Sequence, residues 1–131
     1  MYFIPDATVA DEIGRTDAVF RSAGYSGAIT FRPPGCKRLL TAPLYLGRTG
    51  RMTVTWDLEP DSIPGIADDP DAIADYVVDN ARPGSIVLMH VMVDSRAASR
   101  QALPRILREL TAKGYRFVTV SSLLRSQPQP D

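Results

Sequence analysis

Four times in succession along this chain, a stretch with helical periodicity is followed by a short run of apolar and β-branched residues, and no other feature constrains the fold as tightly. The first helix is expected over Thr8 to Ala23, with Val9, Ile13, Thr16 and Phe20 on one stripe, Thr8 and Asp11 as a capping box, and Gly24 as its stop. Ala28 to Phe31 then reads as a short strand, ended by Pro33 and Pro34. Arg38 to Leu46 is helical in pattern but interrupted by Pro43, so that helix is expected to begin near the proline. Met52 to Leu58 has the β-branched and aromatic content of a strand, and the acidic stretch from Glu59 to Gly65 reads as a loop. Asp69-Pro70 is an N-cap followed by a first-turn proline, with Ile73, Tyr76, Val77 and Ala81 along one face. After Arg82-Pro83-Gly84 comes the strand Ser85 to Val91. A further amphipathic helix carries Leu103, Ile106, Leu107 and Leu110 and closes at Gly114; Arg116 to Val120 is the last strand, and Gln127 to Asp131 a frayed tail.

Helix and strand in alternation imply a parallel sheet flanked by helices, an α/β fold with about four parallel strands. In such folds the ligand sits at the carboxyl ends of the strands. Those ends hold Arg32 after the first strand, Glu59 and Asp61 after the second and His90 after the third. The run Ile86-Val87-Leu88-Met89 leads straight into His90, the single histidine of the 131 residues. On residue types alone, the choice between a satisfied strand-end histidine and a catalytic one stays open. Glu59 and Asp61 read equally as solvated charges of an acidic loop, Arg32 has a solvated charge before the Pro-Pro turn as its alternative, and Trp56 reads as core.

Composition narrows the classes of function. Fifteen basic against fifteen acidic side chains leave no net charge to attract nucleic acid or an anionic membrane. No apolar run approaches the roughly 20 residues a membrane-spanning helix needs, and Met1 to Pro5 lacks the basic start of a signal peptide, so the compartment is left undetermined. The lone Cys36 excludes an internal disulfide and a cysteine-cluster zinc site, and reads as an inert thiol. No Gly-rich phosphate loop follows a strand, which weighs against a flavodoxin-like nucleotide-binding domain.

Taken in order, Phe31-Arg-Pro-Pro34, Thr53-Val-Thr-Trp-Asp-Leu-Glu-Pro-Asp61, Pro83-Gly-Ser-Ile-Val-Leu-Met-His90, Leu103-Pro-Arg-Ile-Leu-Arg-Glu-Leu110 and Gly114-Tyr-Arg-Phe-Val-Thr-Val120 resemble the polysaccharide deacetylases, the NodB homology domain of the fourth carbohydrate esterase family. The resemblance spans roughly residues 8 to 124. It implies a hydrolase of carbon–nitrogen bonds other than peptide bonds, on a distorted (β/α) barrel, removing acetyl groups from N-acetylated polysaccharides or oligosaccharides with the help of zinc or a similar ion. By this resemblance His90 is the general acid, and Leu88 lines the space for the acetyl methyl group. Glu59 is the carboxylate paired with that histidine, Arg32 holds the catalytic base, and the Gly35 N–H faces the oxyanion. Cys36 stands after Gly35 where relatives commonly show an aromatic residue and then glycine in this stretch.

Two family segments have no counterpart here: the Thr-Phe-Asp-Asp-Gly that supplies the base and a metal ligand, and the His-x-x-x-His that supplies the other ligands. Residues 1–125 are therefore expected to be the carboxyl-terminal portion of such a domain, a partial (β/α) barrel followed by a disordered tail over 126–131. This chain alone is expected to bind no metal and to be inactive. Open sheet edges make self-association expected. The alternative is a non-catalytic carbohydrate- or partner-binding remnant.

Overall fold

The computed structural model describes residues 6–33 and 46–126. They fall into two compact units, Met1–Thr55 and Trp56–Asp131. The expected helix start near Pro43, the Gly35 position, Cys36 and the tail over 127–131 lie outside the described residues.

In the first unit, α1 runs Asp6–Ser22, so Thr8 lies inside the helix rather than capping it. Gly24 closes it as expected. Its φ of 88° is left-handed, and the bonds Tyr25 N–H to Phe20 C=O and Gly24 N–H to Arg21 C=O, each 3.0 Å, form a Schellman motif. Val9 and Ile13 bury against Leu46, with Phe31 packed on them. The other half of the expected stripe is not used: Thr16 is exposed, and Phe20 instead meets the Tyr25 ring edge-on at 6.2 Å. Arg51, ion-paired with Asp17, ties the chain after Leu46 to α1.

The second unit is built on α2 (Pro70–Asn80) and α3 (Ala97–Ala112). The Asp69 carboxylate caps α2 by accepting from the N–H groups of Asp71 and Ala72, and Pro70 opens its first turn, as the sequence predicts. Ile73, Ala74, Val77 and Val78 of α2 interlock with Ala102, Ile106 and Leu110 of α3 to form the core. Burying Ile73 and Val77 completely is worth about 1.5–3 kcal/mol each. The buried line on α3 is Ser99, Ala102, Ile106 and Leu110, rotated from the expected one, because the small Ser99 and Ala102 admit close approach. Leu103 and Leu107 turn instead toward a cavity of about 400 Å³ whose lining includes Val87, Met89, Val91, Phe117 and Leu123. Arg105 clasps the helix pair, meeting Asp71 and Glu109 at 3.1 and 2.7 Å and also Asp75; Glu109 first, then Asp75, raise its affinity for its proton. Gly114 at φ 88° ends α3 in a second Schellman motif, with Tyr115 N–H on Leu110 C=O and Gly114 N–H on Thr111 C=O.

The strands are where the structure departs from expectation. Among the described residues the pairing reduces to two isolated bridges, Phe31 with Thr53 and Leu58 with Val87, both parallel. The parallel sense agrees with an α/β arrangement, but among the described residues neither bridge extends into a ladder. Residues 116–119 make no bridge; Phe117 and Val118 stay more than half exposed, and Val120 opens α4 (Val120–Arg125), capped by the Thr119 side chain. A ladder needs a partner strand along its length, and β-rich composition by itself does not supply one. No helix among the described residues is long and apolar enough to cross a membrane.

Candidate functional site

Two chain reversals bring the site together. After Leu58 the chain enters a 3-10 turn, Pro60–Ser62, in which the fixed φ of Pro60 helps send the next side chain inward. Asp61 is completely buried there. Ser85 to Met89 run beside residues 57 and 58, held by Leu88 N–H on Leu58 C=O at 2.8 Å. Asp57 anchors the start of that run, accepting from the Ser85 hydroxyl and the Ile86 N–H, both at 2.6 Å. Val87 and Met89 pack on the helical core, so the alternation of an extended chain gives Leu88 and His90 the opposite face. Arg100 braces the turn after His90 by donating to the carbonyls of Val91 and Val93.

Asp61 and His90 meet at this point. The Asp61 Oδ1 lies 3.1 Å from His90 Nδ1, while Oδ2 accepts from the His90 main-chain N–H at 2.6 Å and from the Ser99 hydroxyl at 2.8 Å. Arg96 Nη1 donates to the Asp61 carbonyl. Burial pushes the Asp61 carboxyl up. The His90 N–H, the Ser99 hydroxyl and the His90 ring together outweigh burial and hold it below its ordinary 3.8. An ionised carboxylate only accepts, so Nδ1 carries the proton and Nε2 is left to exchange one. The imidazole side chain is 39% exposed against 0% for Asp61, so it has a wet face and an anchored face.

The expected pairing of Glu59 with His90 is corrected by this geometry. Glu59 accepts from Trp56 Nε1 and from the Ser62 hydroxyl, both at 2.8 Å, and the carboxylate on the imidazole is Asp61. The start of the 3-10 turn at Pro60 separates the two acids, sending Asp61 inward and leaving Glu59 half-buried. Trp56, expected in the core, uses its indole N–H as a polar handle for Glu59. Ser99 and Arg96 were missed; a buried serine on an otherwise apolar helical stripe was the available signal. Arg32 belongs to the first unit, where it is exposed and donates to the carbonyls of Val54 at 3.2 Å and Thr55 at 3.5 Å.

Glu59, Asp61 and His90 each offer a ligand-type atom, all within 4.8 Å of one another. The donor set does not fit a metal ion. All four carboxylate oxygens already accept from hydrogen-bond donors, one of them a main-chain N–H, and His90 Nδ1 is committed to Asp61. A cation would have to displace positive hydrogens aimed at every oxygen. The cluster is a hydrogen-bonded acid–imidazole pair with a neighbouring glutamate.

No family model matches the chain. Two curated relatives do, both peptidoglycan-N-acetylglucosamine deacetylases of Bacillus cereus. One is 40% identical over 101 residues, covering 74% of this chain and 46% of the relative. The other is 29% identical over 121 residues, covering 91% of this chain and 43% of the relative. Among solved structures, a family 4 carbohydrate esterase from Streptomyces lividans in complex with acetate superposes with a TM-score of 0.65 at 30% identity, covering 85% of this chain and 55% of that one. The chain thus spans about half the length of the curated relatives it matches. With sequence and fold in agreement over most of its residues, the chain belongs to the polysaccharide deacetylase family.

Proposed function

We propose that this chain carries the proton-donating part of a deacetylase that hydrolyses the acetamide of N-acetylated glycans such as peptidoglycan, with its extended segments standing for consecutive strands of a (β/α) barrel. The observation that carries the reading is the fully buried Asp61 carboxylate held against Nδ1 of a part-exposed His90. Amide hydrolysis adds water to the carbonyl carbon and then breaks the carbon–nitrogen bond. The departing nitrogen must gain a proton, and His90 supplies it from Nε2 while Asp61 stabilises the imidazolium before transfer. The products are acetate and the free amine. Leu88 shares the His90 face, which suits it to line the acetyl methyl pocket. By the resemblance, Arg32 holds the base; the oxyanion role it implies for Gly35 falls outside the described residues.

The divalent ion implied for the whole family domain is not accommodated by the donors described above, and no step is routed through it. With one histidine in the sequence, a two-histidine metal site does not arise from these residues. The purified chain supplied with zinc is therefore expected to release no acetate from N-acetylglucosamine oligomers. Completed with the part of the Bacillus cereus relative that the match leaves uncovered, it is expected to release acetate, and His90→Ala should slow that release by about 10²–10⁴-fold. Acetate release by the chain alone, or full activity of the completed His90→Ala protein, would overturn the reading. A folded, completed protein that binds the oligomer without turnover would point to a non-catalytic glycan-binding module.

A further inference from the structure

Asp61 and Ser99 are the two fully buried polar side chains among the described residues, and they bond to each other. Ser99 sits in the first turn of α3 on the line continued by Ala102, Ile106 and Leu110, where the pattern calls for an apolar residue. A buried hydroxyl costs free energy unless it is hydrogen-bonded, and a polar residue that breaks an otherwise consistent apolar pattern is expected at functional or strained sites. Its bond to Oδ2 at 2.8 Å, with the His90 N–H on the same oxygen at 2.6 Å, fixes the plane of the carboxylate. Oδ1 is then left to face the imidazole. Arg96 holds the other end of the same residue through the Asp61 carbonyl.

We infer that Ser99 is a positioning residue of the deacetylation reaction: its buried hydroxyl, seconded by Arg96, locks Asp61 so that His90 is kept in the Nδ1–H form with Nε2 free for proton transfer. The inference rests on the His90–Asp61 reading above and names the residue that enforces it. Among the described residues of this unit, the charged groups beside the pair are Glu59 and Arg96, and their hydrogen bonds go to groups other than the imidazole. Without the Ser99 hydroxyl, Oδ2 keeps only the main-chain donor, and the carboxylate plane is held by His90 alone.

Because this chain has one histidine, its imidazole nitrogens give a single set of NMR signals. At alkaline pH, where an imidazole is neutral, the wild-type ring should show mainly the Nδ1–H tautomer. Ser99→Ala should lower the ratio of Nδ1–H to Nε2–H roughly three- to tenfold, and the Asp61 carboxyl carbon should titrate at higher pH. Ser99→Thr, which keeps the hydroxyl, should restore both. Should Ser99→Ala fail to give a native circular dichroism spectrum, Ser99→Cys, close in size and a poor donor, is read in its place. An unchanged tautomer ratio and Asp61 titration in the folded variant would overturn the role of Ser99. Asp61→Asn separates the two ideas: if it inverts the tautomer while the Ser99 variants do not, the dyad stands and this inference falls. If Asp61→Asn also changes nothing, the dyad reading falls, and this inference with it.

Discussion

Replacing Asp61 by alanine tests whether this carboxylate, rather than Glu59, holds the site together. The substitution strands the His90 main-chain N–H and the Ser99 hydroxyl, both bonded to Oδ2, and the Nδ1–H of the ring. The imidazole is 39% exposed and can turn to water. Stranding the first two costs about 1–3 kcal/mol each, and loss of one partner of a buried pair costs about 3–5 kcal/mol, so roughly 3–5 kcal/mol is expected. Against a total of about 5–15 kcal/mol, that is a large fraction of the stability. Glu59→Ala removes a half-buried carboxylate whose Ser62 partner is exposed, and should cost under about 1 kcal/mol. Urea unfolding followed by far-ultraviolet circular dichroism measures both, with the slope checked for constancy. The pH dependence follows from the lowered Asp61 pKa. Its contribution is fully present above the ordinary value of 3.8 and is lost as pH falls through the lower folded value. The gap between wild type and Asp61→Ala should therefore narrow only below about pH 4. An Asp61→Ala cost no larger than that of Glu59→Ala, or a gap that closes near neutral pH, would refute the reasoning.

Ile73→Ala, at a fully buried position, removes about 2.4 kcal/mol of transfer free energy before any cavity is counted and should cost about 2–5 kcal/mol. Leu107→Ala, with the leucine 40% exposed, should cost clearly less in the same denaturation experiment. Gly114→Ala places a side chain at φ 88° and should lower stability by about 1–2 kcal/mol, whereas Gly14→Ala, inside α1 with open space around it, should raise it by about 0.5–1 kcal/mol; thermal melts of the two variants check the opposite signs. Calorimetric titration of the full chain with zinc should show no tight one-to-one binding, and uptake that disappears in His90→Ala would contradict the hydrogen-bonded account of Glu59, Asp61 and His90.

The glycine stops and the Asp69 cap were legible because their causes lie within a few residues, whereas Thr8 falls inside α1 and Thr119 caps a helix the pattern did not announce. Gly24 and Gly114 close helices at left-handed positions, and Asp69-Pro70 starts one. Arg116 to Val120 was misread as a strand for the complementary reason: its apolar content says that it can pair but not that a partner lies alongside, and Thr119 instead caps a helix starting at Val120. The α3 stripe was read one step off, since Leu107 is as apolar as Leu110 and only the approach of α2 distinguishes them.

The sequence by itself determined the glycine and Asp69-Pro70 boundaries of the helices, the deacetylase kinship and the identity of the single imidazole, which follows the run Ile86 to Met89. Which carboxylate serves it was decided by tertiary structure alone. Glu59 and Asp61 stand two residues apart and are chemically almost equivalent. The 3-10 turn at Pro60 buries one of them where groups from residues 90, 96 and 99 converge on it, and that convergence across some 30 residues of chain has no local signature.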